Sequence, residues 1–293
     1  MMMRPQVRNG VLNIDKPQGI TSHDVVDILR KVFPNVKIGH TGTLDPLATG
    51  VLPICIGEAT KLTNILTSED KVYEVTMLLG VETDTYDITG RITFANVLDK
   101  DEFYIKERIK RFIGKQSQIP PMYSAIRIDG KRAYSYAREG KTVDLKPREI
   151  EIYSIENIKV DINKRKVKFT VECSKGTYVR SLVNDIGKKI GCGATMTDLR
   201  RIRTGRFDEK QSVKLYDFLK LDYEEMINKI IPIEEYFKEY KKVNLDDDMY
   251  NKFLNGVKFD IDTQDKFVRI YQNNIFRGLG VVEDKIMKRF LVE

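Results

Sequence analysis

Asp45 is the side chain with the clearest opportunity for chemistry. It sits in the twelve-residue string GHTGTLDPLATG at positions 39–50. A carboxylate can attack carbon as a nucleophile or take a proton as a general base. Pro46 confines Asp45 to extended backbone angles, and the three glycines permit turns and close approaches that other residues resist. The string predicts a stiff small-residue loop, followed at 51–56 by an apolar run that reads as a buried strand. Taken alone, an Asp-Pro pair marks only a turn. A second stretch interleaves Tyr123, Tyr134 and Tyr136 with Arg127, Lys131, Arg132 and Arg138. That mixture suits stacking on bases while tracking phosphates, and equally an ordinary solvated, tyrosine-containing surface. Cys55, Cys173 and Cys192 are far apart, and the histidines are His23 and His40. Such spacing argues against a disulfide framework and against a zinc cluster; no metal or cofactor is expected.

These groups must be positioned by a chain of 293 residues, room for one large domain or a large and a small one. Hydrophobic residues at 41% are enough for a core, and Lys plus Arg at 50 against 43 acids leaves a net charge of +7. A cationic surplus fits an anionic partner such as RNA, because binding releases condensed counterions. No run approaches the length needed to cross a bilayer, and residues 1–10 lack an apolar signal core. A reducing cytoplasm is therefore the expected compartment.

Along the chain, 11–14 reads as a short strand, and Thr21 or Ser22 can cap a helix running to about Phe33. A helix is expected over 58–66, and 71–79 alternates like a half-buried strand. Gly90 between 86–88 and 92–94 looks like a hairpin, and 100–113 like a charged amphipathic helix. After the Pro120-Pro121 break, 122–141 suggests a hairpin and a short helix. Residues 150–160 and 166–173 read as paired strands, 178–190 as a helix, and 195–203 as a return to the sheet. Strands and helices mixed without regular alternation point to α+β with a largely antiparallel sheet. From about 241 the short apolar runs suggest a small β domain, opened by the acidic run Asp246-Asp247-Asp248.

Further strings accompany the Asp45 loop in order: DKPQGITS at 15–22, DKVY at 70–73 with Gly80 and TDT at 83–85, QIPPMYSA at 118–125, CSKGTYVRS at 173–181, and LRR at 199–201. Together they resemble the TruB family, the bacterial tRNA pseudouridine-55 synthases, from about Val11 to Gly205. The resemblance implies a pseudouridine synthase fold, with a mixed, largely antiparallel central sheet flanked by helices. It implies a catalytic domain over 1–240, an RNA-clasping insertion at about 122–150, and a PUA-like RNA-binding domain over 241–293.

The implied reaction isomerises uridine 55 in the T-loop of tRNA: the C1′–N1 bond breaks, the uracil turns, and C1′ rejoins at C5. Asp45 would be the essential carboxylate, either attacking C1′ or removing the 2′ proton, and the sequence leaves both open. By the same resemblance Arg180 is the buried partner of that carboxylate, favouring its ionised form and fixing it through a two-point contact. Tyr73 would pack on the uracil and assist loss of the C5 proton, while Tyr178 and Leu199 would line the uridine pocket. His40 would enter the T-loop and take over the stacking of the extruded nucleotide. Lys16 and Pro17 would support the loop. The implied partner is tRNA, through its T-arm and elbow, with no membrane, no obligatory protein partner, and a monomeric chain. Three other readings compete: a guide-RNA-dependent, dyskerin-like enzyme, which usually has longer terminal extensions; a tRNA chaperone without turnover; and a glycosidase, which would usually need two cooperating carboxylates.

Overall fold

The computed structural model describes residues 7–124, 126–128, 130–139, 141 and 143–292. The side chains of Arg127, Lys131, Arg132, Tyr134 and Arg138, expected in the aromatic and basic stretch, lie outside the described residues. So does most of the N-terminal segment 1–10.

Alternating burial along Lys71–Leu79 sends Lys71, Tyr73, Val75, Met77 and Leu79 to one side. This strand is central to a large sheet. On one flank lies Ala194–Thr204, then Thr49–Ile56, Gly10–Lys16 and the short Val213–Lys214. On the other flank lie Lys166–Cys173, Arg148–Asp161 and Gly114–Gln118. Pairing along this path is antiparallel except at two joints, Thr49–Ile56 with Ala194–Thr204 and Gly10–Lys16 with Val213–Lys214. The first parallel joint sets the Asp45 loop beside Ala194–Thr204, because Arg201 pairs with Gly50. Gly50 has φ +100°, and a Cβ there would stand 2.2 Å from the Arg201 carbonyl oxygen. Gly50→Ala is therefore expected to destabilise the fold by about 2 kcal/mol or more, seen as a lower denaturant midpoint; an unchanged midpoint would refute this account of the joint.

Helix Ser22–Val32 starts at Thr21, whose side chain and that of Asp24 form a reciprocal capping box. Its buried Val25, Val26 and Leu29 join the main core. Helix Val179–Ile190 lies close against the sheet at Gly187, where a Cβ would come within 2.1 Å of the Ala194 nitrogen. Where one helix is expected over 58–66, the chain forms a 3₁₀ turn, Gly57–Leu62, and a short α-helix, Thr63–Thr67. The hydroxyls of Thr60, Thr63 and Thr67 donate to carbonyls three or four residues back, competition that weakens a regular helix. The charged helix is shorter than expected, Glu102–Lys110, with Asp101 as its cap.

The hairpin around Gly90 needs a correction. Ile92–Ala95 pairs with Val81–Thr83 rather than with 86–88. Residues 84–91 instead fold back on the Asp87 carboxylate, which accepts hydrogen bonds from the Thr85 and Thr89 hydroxyls. Asp87 also bridges Met196 on the main sheet. Met196 is distant in sequence, so local alternation could not reveal that contact. The hairpin and short helix expected after the Pro-Pro pair appear in the backbone as Arg127–Ile128 with Lys131–Arg132, then Ala133–Arg138.

The C-terminal part forms its own five-stranded sheet, ordered Lys242–Leu245, Phe267–Gln272, Ile275–Glu283, Ile286–Val292 and Phe259–Asp260. The acidic run has a structural purpose here. Asp246 caps helix Asp247–Leu254 and the next two acids occupy its first turn, where negative charge complements the helix dipole. Phe267, Leu279 and Leu291 of this sheet pack with Phe207, Tyr236 and Phe237 against Val11, Val51 and Cys55 on the large sheet.

Candidate active site

The Asp45 loop is stiff because its main chain is tied at both ends. The Leu44 N–H donates to the Ser22 hydroxyl at 2.8 Å, and the Gly19 N–H to the Pro46 carbonyl at 2.8 Å. The buried Lys16 amine donates to the Pro17 and Ile20 carbonyls at 2.9 and 2.7 Å, holding the preceding turn. Burial lowers the Lys16 pKa to about 8, partly offset by Asp45. Lys16 and the Pro17 carbonyl thus hold the turn whose Gly19 N–H reaches the Pro46 carbonyl of the loop.

Asp45 opens onto a cleft of about 1060 Å³. Its side chain is 36% exposed and is met by Arg180, whose Nε lies 2.9 Å from Oδ2 while its own side chain is only 7% exposed. The expected two-point contact is not formed. The terminal nitrogens of Arg180 are committed elsewhere, Nη1 to the Thr85 carbonyl at 3.1 Å and Nη2 to the Tyr123 carbonyl at 2.8 Å. Nη1 also lies 3.7 Å from Asp87 Oδ2. The guanidinium therefore joins the Asp45 loop, the 84–91 loop and residue 123. It does not keep Asp45 in the ordinary carboxylate range. Burial raises the Asp45 pKa, Arg180 pulls it back, and Asp87 pushes it up again.

Tyr73, Tyr178, Leu199 and His40 all line the same cleft. Leu199 lies opposite Val75, and Arg201 opposite Tyr73, so strand parity places Tyr73, Leu199 and Arg201 on one face. Burial raises the Tyr73 pKa, while the Arg201 guanidinium beside the phenol opposes the shift. The Tyr178 phenol is likewise raised by burial. Its main chain is clamped by the buried Gln118, which accepts from the Tyr178 N–H at 2.8 Å and donates to its carbonyl at 3.1 Å. His40 is half-buried, and burial followed by Arg201 lowers its pKa, which favours the neutral ring.

Three site residues were not anticipated as such: Asp87, Gln118 and Arg201. Asp87 meets Arg180 and Gln118 meets Tyr178, partners distant in sequence that no local pattern indicates. Arg201 could have been found by parity: if Leu199 lines the pocket, the residue two positions on shares its face. Arg200 points the other way, to Asp15 and Glu209.

An open mixed sheet whose cleft holds a buried arginine between two aspartates is a fold with solved counterparts. A chain of a Cbf5–Nop10–Gar1 complex matches with TM-score 0.70 and 28% identity, over 98% of this chain and 84% of that one. A chain of an H/ACA RNP bound to a substrate RNA containing 2′-deoxyuridine matches with TM-score 0.68 and 26% identity, over 98% and 84%. The TruB family pseudouridylate synthase N-terminal domain matches residues 30–179, and the tRNA pseudouridylate synthase B C-terminal domain residues 180–238. The chain belongs to the TruB family of pseudouridylate synthases. It is 41% identical to the tRNA pseudouridine synthase B of Clostridium kluyveri, over 97% of this chain and 100% of the relative. It is 44% identical to that of Clostridium tetani, over 93% and 95%.

Proposed function

We propose that this cleft isomerises uridine 55 in the T-loop of tRNA to pseudouridine. The observation that carries the reading is Asp45 at the cleft, on a pinned loop and paired with buried Arg180. An oriented carboxylate beside a ribose can attack C1′, with the N1 electron pair leaving on uracil, or take the 2′ proton as uracil leaves. Either route frees the base inside a cleft whose Leu199 and Tyr73 walls retain it. The uracil then turns and C5 bonds to C1′ as the Asp45–C1′ bond breaks or, on the other route, as Asp45 returns the proton to C2′. The C5 proton leaves and N1 takes one up, with Tyr73 packed against the ring. No atom is gained or lost, so the reaction is an isomerisation.

The target base must leave its stack, and His40 takes its place. A neutral ring stacks without carrying a charge into the RNA, which suits the lowered pKa of His40. His40→Ala is expected to lower kcat/KM on folded tRNA by about tenfold, the worth of one stacking contact, while a short unstructured RNA bearing the same uridine is affected less. Equal kinetics on folded tRNA would remove this role. The enzyme works as a monomer in the cytoplasm, on the T-arm and elbow of tRNA. Residues 1–240 form the catalytic domain, with the RNA-clasping insertion at about 122–150, and 241–293 a PUA-like RNA-binding domain. No helix among the described residues is long and apolar enough to cross a membrane.

The test is an unmodified tRNA transcript tritiated at uracil C5. Tritium release, with sequencing placing the product at position 55, supports the reading. No release from any tRNA refutes it.

A further inference from the structure

Arg180 is ion-paired with two acids; two other buried cations of the same cleft are not. Arg201 is among the largest fully buried side chains of the protein, and Lys71 is buried too. Both line the cleft. Neither forms an ion pair with an acid among the described residues. Their closest contacts are to neutral groups, carbonyls for both and the Tyr73 phenol for Arg201. Arg201 Nε donates to Val51 at 2.7 Å and Nη2 to Gly42 at 3.2 Å. The Lys71 amine donates to Thr67 at 2.6 Å and to Glu69.

Glu69 and Asp70 act on Lys71 without pairing with it. Buried charge without a direct ion pair is expensive, so the arrangement calls for an anion that arrives during function. Strand geometry says where that anion lies. Lys71 and Tyr73 are two apart on one strand, and Arg201 is the cross-strand partner of Tyr73. The two cations therefore flank Tyr73 on the side facing the cleft. Burial holds the Lys71 pKa down to about 8, with Arg201 contributing. Lys71 thus keeps most of its charge at neutral pH, and an arriving anion would raise that fraction.

The proposed reaction supplies such an anion. When C1′–N1 breaks, the electron pair stays on N1, and the uracil departs negatively charged. In one route the Asp45 oxygen bonds to C1′; in the other the C2′–H electrons form C1′=C2′ and the proton goes to Asp45. In both, one negative charge leaves the carboxylate and appears on the base. We propose that Arg201 and Lys71 are the electrostatic partners of the departing uracil anion, as Arg180 is of Asp45 before the bond breaks. This inference rests on the isomerase reading above. Preorganised charge aimed at where charge develops stabilises the transition state more than the ground state.

The experiment uses the full chain and two tRNA transcripts, one with uridine and one with 5-fluorouridine at the target. Fluorine makes the detached base a weaker base and a better leaving group, which needs less help. Glycosidic cleavage is followed in both by nuclease digestion and chromatography of the ring-labelled nucleoside. Arg201→Met is expected to lower kcat on uridine about 100-fold, with KM changed less than about threefold, and to lose about tenfold less on 5-fluorouridine. Lys71→Met should show the same pattern at smaller size, and Arg201→Lys should recover much of the rate. Equal losses on the two substrates would mean a structural role and overturn the proposal. A rise in KM with kcat intact would assign the cations to a backbone phosphate, and also overturn it. Should Arg201→Met fail to fold, Lys71→Met and Arg201→Lys carry the same comparison. A wild-type protein inactive on both RNAs would instead refute the isomerase reading.

Discussion

Asp45→Asn is expected to abolish tritium release from C5-labelled tRNA, with a loss of at least about 10⁴-fold. The amide matches the carboxylate in shape but neither attacks C1′ nor accepts the 2′ proton. The loop should survive, because the bonds that pin it use the main chain of Leu44 and Pro46 and the side chains of Ser22 and Lys16. Arg180 keeps an oxygen acceptor at the same place. Affinity for tRNA, measured by filter binding, should therefore change little, and a parallel loss of binding would show that Asp45 is structural.

The pH dependence of the same residue is fixed in sign. Because burial raises the Asp45 pKa above its ordinary 3.8, the acid limb of kcat/KM should lie above the usual carboxylate range. For folding, a carboxyl whose native pKa is raised contributes stability below its unfolded pKa and loses it as pH rises through the native value. At neutral pH the ionised Asp45 thus opposes folding. Asp45→Asn should be at least as stable as the wild type at neutral pH, with the difference closing in acid. A clearly lower neutral denaturant midpoint would contradict the assigned direction. Sacrificing stability for a reactive group is common at active sites.

Local signals in the sequence carried much of this site. Alternation gave the strand that holds Tyr73, glycine and proline chemistry gave the stiffness of the Asp45 loop, and threonine placement gave the start of the first helix. Electrostatic balance was less legible. Reading Arg180 as a two-point partner made Asp45 a stabilised anion, whereas the structure spends two of the three guanidinium nitrogens on carbonyls. Which carbonyls come near is decided by the 84–91 loop and by Tyr123, and no periodic pattern encodes that meeting. The same holds for Asp87, whose segment leaves the expected hairpin for partners about 110 residues further along at Met196.

Arg180→Met is expected to lower kcat about 10³-fold and to weaken the fold as well. Three segments meet on this guanidinium through the Asp45 carboxylate, the Thr85 carbonyl and the Tyr123 carbonyl. A buried ion pair that loses one member typically destabilises by about 3–5 kcal/mol. Asp45 is open enough to the cleft to recover some hydration, so about 2 kcal/mol is the expected loss. Without the cation, Asp45 and Asp87 face each other as like charges. The Asp45 pKa then rises further, and the acid limb of the pH profile moves up. Arg180→Lys should resemble Met far more than Arg, because one ammonium cannot reach three acceptors held at fixed angles. Adding Asp87→Asn to Arg180→Met separates the two effects. Removing the repulsion should bring the acid limb back down, while the rate stays low because nothing orients Asp45. A lysine variant with wild-type kcat would show that charge alone suffices and that the three-segment junction is incidental to catalysis.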